Sequence, residues 1–380
     1  MPALFGMTLS ELTTLAAAHG QKPYRARQLY DALYKQRVDT LDAVTTLPAP
    51  LREAIAQTHT LGLPVLAQTA VSVDGTERYL VRLEDGETVE TVWMPDGDLP
   101  DDTDSPRTSV AQLDTRNQGA LAAAGYRRAT ICISSQVGCA VNCQFCLTAK
   151  LGIRRDLTAG EIAGQVAAVL NRHRVHIGKD RINLVFMGMG EPFLNYDNFM
   201  AAVHLLASGI GIPASRMTVS TSGIEPAIRR FALEAVRPNL ALSLNASNDT
   251  VREAIMPVTR KWNIAKLLDA VRTIPMQKRD WVTFEYVLLG QVNDQPEHAH
   301  EVVALLKGMQ SKINLIVWNP GPDMPYTQPT TAAVEVFQRT LIDHGIPTYI
   351  RRPRGRDIYA ACGQLKRTTE TTPQLVTLTA

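Results

Sequence analysis

The chain has 380 residues, 39 Lys and Arg against 37 Asp and Glu, and 45% apolar residues. At about 150 residues per domain this is two or three domains, or one large α/β unit with an appendage, and about 75% of the unfolded surface of such a chain can be buried without a disulfide scaffold. Global disorder is excluded by the composition, a transmembrane helix by the lack of any apolar run near 18 residues, and a signal peptide by the start MPALFGMTLSELTT, so a cytoplasmic protein with no membrane partner is expected.

Residues 1–62 read as a small helical domain. Leu12, Leu15, Ala16, Tyr30, Leu33 and Tyr34 recur at helical spacing, interrupted by Gly20, Pro23 and Pro48. Lys22, Arg25 and Arg27 stand beside Tyr24 and Tyr30, a mixture that suits nucleic acid and equally suits a basic amphipathic helix with an aromatic core face. Residues 63–94 read as a β-rich connector, a meander with turns at Asp74-Gly75 and Asp85-Gly86. Residues 95–126 hold six Asp against two Arg and read as an acidic flexible insertion, expected to be dispensable for catalysis.

From residue 127 to 367 the pattern changes. Apolar runs at 129–134, 182–187, 216–220, 240–244, 282–288, 313–318 and 347–351 predict strands. Between them lie predicted helices, among them 159–174, 196–207, 263–274, 297–309 and 331–344, the first opened by a Thr158/Glu161 capping box. Such alternation predicts a parallel sheet with right-handed crossovers, curling into a partial (β/α)6 barrel with its chemistry at the carboxyl ends of the strands. Residues 368–380 read as a loose tail.

Charge is uneven. Residues 127–181 carry nine Lys/Arg and three Asp/Glu, and residues 347–367 carry six Lys/Arg and only Asp357. Two basic stretches on a nearly neutral chain suit an anionic partner met at one face.

Five cysteines are present, and Cys139, Cys143 and Cys146 form a C-x3-C-x2-C triplet just after a predicted strand. Three thiolates do not complete a structural zinc site, and no histidine lies close by in sequence. They do suit a 4Fe–4S cluster that keeps one iron open for a small chelating ligand.

The triplet, with Phe145 before its last cysteine, resembles the radical S-adenosylmethionine (SAM) enzymes, as does the glycine-rich VFMGMGEP that follows about 40 residues later. The blocks CISSQVGCAVNCQFC, FMGMGEP, VSTSGI, LALSLNASND, INLIVWNP and RRPRGRDIYAACGQL resemble, more narrowly, the RlmN-type dual-specificity RNA methyltransferases. That resemblance spans residues 8–367 except the acidic insertion. It implies methylation of adenosine C2 in 23S ribosomal RNA and transfer RNA, one 4Fe–4S cluster on Cys139, Cys143 and Cys146, and two SAM molecules per turnover. It further implies that Cys362 takes a methyl from the first SAM, that Glu90 accepts the C2 proton, and that Cys132 resolves the adduct through a transient disulfide with Cys362. SAM contacts implied by motif are Gly190, Glu191, Ser220, Ser243, Leu244, Asn245 and Asn319. Asn245 departs from the histidine usual in the family, which puts a side-chain contact there in doubt. The remaining expectations are ribosomal and transfer RNA as partners, an electron donor such as flavodoxin or ferredoxin, and a monomer.

Read without the resemblance, Glu90 is one strand glutamate of a kind that is mostly solvent-facing, and Cys132 and Cys362 are buried free thiols. Two rivals remain open. One is a relative of the chloramphenicol–florfenicol resistance type, which methylates adenine C8 with the same five cysteines. The other is a non-catalytic iron–sulfur protein that binds RNA or senses redox state, which would make no 5′-deoxyadenosine.

Overall fold

The chain was analysed as a computed structural model, which describes residues 1–95, 127–277, 280–361 and 363–365. The acidic insertion beyond Pro95, the tail and Cys362 lie outside the described residues.

The N-terminal helices are α1 (Leu9–Ala18), α2 (Pro23–Asp31) and α3 (Ala49–Ala56). Thr8 starts α1 with a capping box to Glu11. Helix α2 runs on into a π turn at 32–36, which turns Tyr34 inward. The Tyr34 hydroxyl accepts from the Gly6 amide at 2.9 Å and donates to the Met7 carbonyl at 2.8 Å. Its ring lies so close to Gly209 that a Cβ there would stand 2.9 Å from it, so a side chain at 209 would push the helical domain away. Arg37 completes the attachment by donating to Asn171 and to the Val175 carbonyl. The helical domain is thus welded to the rest of the molecule.

Ten strands form one sheet in the order β1-β2-β3-β4-β7-β8-β9-β10-β11-β12. The strands β1 (Val65–Val71), β2 (Glu77–Arg82) and β3 (Thr88–Pro95) are antiparallel. Strand β4 (Arg128–Cys132) pairs antiparallel with β3 and parallel with β7 (Arg181–Phe186). Then β8 (Met217–Thr221), β9 (Asn239–Ser243), β10 (Val282–Leu288), β11 (Ser311–Val317) and β12 (Thr348–Arg351) continue in parallel. The short strands β5 (Gln136–Gly138) and β6 (Ile153–Asp156) form a separate hairpin.

Each of the first six parallel strands is followed by helix, and β12 adds a closing strand. This is the expected partial (β/α)6 barrel. The meander, read from the sequence as a β-rich connector, extends the barrel sheet through the β3–β4 pairing. The loop after β12 also reaches back to the β1–β2 turn: Asp357 accepts from the Val73 amide at 3.2 Å, and the Gly355 amide donates to Asp74 at 3.0 Å. Those bonds tie the two ends of the sheet together.

Strand alternation sorts the residues. Phe186 packs edge-on against Phe199, and Tyr286 packs against Phe337, so these positions face the helices. Thr91 points the same way and donates to Gln165. Their alternates point to the inner face of the barrel. There the residues are Glu90, Cys132, Asn183, Ser220, Ser243, Glu285 and Asn314, a polar lining against an apolar outer layer.

Candidate active site

Strand β4 ends at Cys132, which is buried. Cys132 pairs with Val92, and Glu90 lies two residues along β3, so Cys132 and Glu90 share the inner face as near neighbours. Glu90 is 1% exposed. Its carboxylate accepts from Arg78 Nη1 at 2.8 Å, and Arg78 sits on the same face of β2. The Glu90 carbonyl accepts from the Ser134 hydroxyl at 2.6 Å, which in turn accepts from the Met189 amide. One serine therefore connects the strand carrying Glu90 to the glycine-rich loop.

That loop needs its glycines. Gly190 has φ +100°, and a Cβ there would stand 2.6 Å from Gln136. The Glu191 carboxylate accepts from the amides of Ser222 at 2.7 Å and Phe193 at 3.0 Å, linking the loop to the end of β8. Complete burial still pushes the Glu191 carboxyl above its ordinary range.

The three clustered cysteines flank the β5–β6 hairpin and the short helix α4 (Leu147–Lys150). The Cys139 amide donates to Gly152, the Cys146 amide to Cys143, and the Gln144 amide to Ile255. Burial pushes the Cys139 thiol up to about 12 and the Cys143 and Cys146 thiols up as well. Each of Cys139 and Cys143 senses the charge of its neighbours in the triplet and of Glu191. Cys143 and Phe145 pack on an apolar group of Ala246, Ile255, Met256, Leu289 and Trp318, which keeps water from this side. Among the described residues no three Cys, His, Asp or Glu side chains gather to hold a single metal ion. Three thiolates with no fourth ligand beside them in sequence are the donor set of a four-iron cluster that keeps one iron open. The donor set fits the cluster.

Ser220 and Ser243 meet on the inner face at 3.3 Å, and Ser220 donates to Glu285 at 2.6 Å. Burial pushes the Glu285 carboxyl up, partly opposed by these hydroxyls and by the charge of Arg351. Leu244 and Asn245 sit at the end of β9, with both amides donating to the Glu285 carbonyl. Asn245 has φ 57°, and its side chain is committed to the protein: Oδ1 accepts from the Val287 amide at 2.9 Å and Nδ2 points to Met256 Sδ at 3.2 Å. The altered side chain therefore serves the fold. Asn319 is buried with Oδ1 unpartnered, as are the hydroxyls of Ser135 and Ser222. Buried polar atoms without partners suit a ligand bearing amino, carboxylate and hydroxyl groups, such as SAM.

Cys362 lies outside the described residues, but its neighbours do not. The Gly363 carbonyl accepts from the Leu147 amide at 2.8 Å, and the Leu365 carbonyl accepts from the Thr148 hydroxyl at 2.7 Å. The chain that follows Cys362 thus docks on the helix next to Cys146. Cys132, Cys139, Cys143 and Cys146 form no disulfide with one another, and the disulfide expected between Cys132 and Cys362 falls on a residue outside the described ones.

Sequence reasoning missed Arg78, Glu285 and Arg252. Glu285 had a signal, a lone carboxylate inside the apolar run VTFEYVLL of a strand in a parallel sheet. Arg78 and Arg252 had none.

Residues 133–303 match the model of the radical SAM superfamily, and residues 3–61 match that of the ribosomal RNA large subunit methyltransferase N-terminal domain. A probable dual-specificity RNA methyltransferase RlmN of Koribacter versatilis is 55% identical over 94% of this chain and 99% of its own length. The dual-specificity RNA methyltransferase RlmN of Anaeromyxobacter sp. is 42% identical over 96% of this chain and 90% of its own. A crystal structure of a radical SAM methyltransferase from Sphaerobacter thermophilus superposes with a TM-score of 0.83 at 39% identity, covering 96% of this chain and 99% of that one.

Proposed function

Since the chain belongs to the RlmN family of radical SAM RNA methyltransferases, we propose that it methylates C2 of adenosine in 23S ribosomal RNA and in transfer RNA. The observation that carries this reading is the sharing of one sheet face by Glu90 and Cys132, with the residues after Cys362 bonded to the helix next to Cys146.

Adenine C2 lies between two ring nitrogens and is electron-poor, so it does not attack an electrophilic methyl group. Addition of a carbon radical to C2 avoids that obstacle. Cys139, Cys143 and Cys146 would hold the cluster, which would supply the electron for reductive cleavage of SAM. Gly190, Glu191, Ser220, Ser243, Leu244, Asn245 and Asn319 hold SAM, the last with its unpartnered carbonyl oxygen. Cys362 carries the methyl group from a first SAM and becomes bonded to C2 through that carbon after a second SAM is spent. Glu90 then removes the C2 proton. The Cys132 sulfur attacks the Cys362 sulfur and the bond from that sulfur to the transferred carbon breaks; the carbon takes up a proton to become the methyl group, the unpaired electron left by radical addition would pass to the iron–sulfur centre, and the transient disulfide remains.

The basic stretches at 127–181 and 347–367 supply phosphate contacts at the RNA entrance, so binding weakens with salt. The electron comes from a small carrier such as a flavodoxin or ferredoxin, and the enzyme works as a cytoplasmic monomer. No described helix is long and apolar enough to cross a membrane.

The test is Cys132→Ala. It completes the early steps and stalls as an RNA-linked protein that survives denaturing gels and disappears with nuclease. Wild-type turnover without a trapped species removes Cys132 from the mechanism. A wild-type product methylated at C8 overturns the C2 assignment.

A further inference from the structure

Arg252 is completely buried, on the helix Asp249–Ile255, and no motif above includes it. Its guanidinium donates to four oxygens: Leu244 O at 2.9 Å, Thr259 Oγ1 at 2.9 Å, Ser222 O at 2.6 Å and Ser243 O at 3.0 Å. All four are neutral, and among the described residues no carboxylate forms an ion pair with it. Burial pulls this guanidinium down to about 10, against the opposing pull of nearby negative charge, which still leaves it charged at neutral pH. A buried cation without an opposite charge costs several kcal/mol, so its retention needs a reason.

Cys143 packs on the apolar group that includes Ile255, three residues beyond Arg252 on the same helix. Geometry keeps the two together. The Gln144 amide, next to Cys143, donates to Ile255 on the helix that carries Arg252. Three of the four acceptors of Arg252 belong to the ends of β8 and β9, where the SAM contacts lie. The side chain is pinned from every direction, so its charge stays where it is when the charge beside it changes.

We infer that Arg252 is a positioning residue that also sets the reduction potential of the iron–sulfur centre, as a fixed buried cation beside the cluster ligand Cys143. The assignment rests on the radical SAM reading. Reduction adds one negative charge to the site, and a fixed positive charge nearby favours that state. The effect is strengthened by low local polarizability and by the apolar group that shields Cys143. Net charge, hydrogen bonding and solvent exposure are the levers that set cluster potentials. Arg252 supplies the first of these and, through three carbonyls, also holds the strand ends that receive SAM.

The experiment compares Arg252→Lys, Arg252→Met and Thr259→Val in the full chain, each reconstituted anaerobically with iron and sulfide. Iron content and the midpoint potential from a redox titration followed by electron paramagnetic resonance are read for each. Arg252→Met shifts the midpoint to a more negative value. Arg252→Lys, which keeps the charge and loses the fork, stays near wild type in potential and binds SAM more weakly. Thr259→Val removes one neutral bond and leaves the potential unchanged. Should Arg252→Met fail to fold, Arg252→Gln, which keeps a donor for the carbonyls and loses the charge, shifts the midpoint the same way. Loaded Arg252→Met, or Arg252→Gln in its place, with the wild-type midpoint overturns the assignment. A wild-type chain that assembles no cluster overturns the radical SAM reading beneath it.

Discussion

The two ends of the ten-stranded sheet bury a carboxylate on the same inner face and treat it differently. At the antiparallel end, Glu90 meets a guanidinium, with Arg78 Nη1 at 2.8 Å. At the parallel end, Glu285 meets hydroxyls, with Ser220 at 2.6 Å and Ser243 beyond it. Burial dominates at Glu285 and pushes its carboxyl up, with Arg351 a lesser influence. One site is built around a formal ion pair. The other is built around neutral donors that tolerate an uncharged acid. The first suits a group that must take a proton from a substrate, and the second suits a group that orders two serines in a binding site.

The comparison breaks most visibly at Glu90. Glu90→Gln preserves shape and removes the base, so formation of methylated RNA falls by about 10²–10⁴-fold. Cys362 still acquires its methyl group, which mass spectrometry of the protein detects. Normal turnover by this variant removes Glu90 as the proton acceptor.

Next in size is the ion pair itself. Arg78→Leu leaves a buried carboxylate without its guanidinium and lowers stability by about 3–5 kcal/mol. Adding Glu90→Leu recovers most of the loss, because the uncompensated charge is gone. Urea unfolding of the two single variants and the double variant measures the coupling; strictly additive losses refute a pair at this site.

The smallest effect is at Glu285. Glu285→Gln keeps an acceptor for Ser220 and changes stability by about 1 kcal/mol. Its pH dependence carries the information. The folded-state carboxyl is raised, so the folded chain holds its proton longer than the unfolded chain does. Stability from this group is full below the ordinary carboxylate value of about 4.3 and is lost as pH rises through the raised folded value. Wild type therefore loses stability relative to Glu285→Gln as pH rises through that window. Parallel pH–stability profiles for the two proteins disprove the raised carboxyl.

Local order was legible in the sequence because it depends on neighbours in the chain. The apolar runs became strands within about two residues of their expected bounds. The Thr158/Glu161 box opens the helix Ala159–Arg172 as the spacing requires. The helix from Tyr196 leaves α geometry after His204 and passes into a π turn at 205–210. That turn contains Gly209, the residue that receives Tyr34 from the helical domain, a contact made 175 residues away in sequence.

Residue chemistry and spacing by themselves determined the cysteine triplet, the glycine loop and the alternating α/β order, since each is written within a few residues. Tertiary structure alone decided which polar groups face inward. Glu90 points to Cys132 only because β3 pairs with β4 in the register that sets Val92 opposite Cys132, and a slip of one residue would send it to the helices. Asn245 bonds to Val287, Glu285 to Ser220, and Arg252 to Ser222 across 42, 65 and 30 residues. A buried charge is tolerated only where distant segments bring its partners to hydrogen-bonding distance, and no local pattern records where those segments will meet.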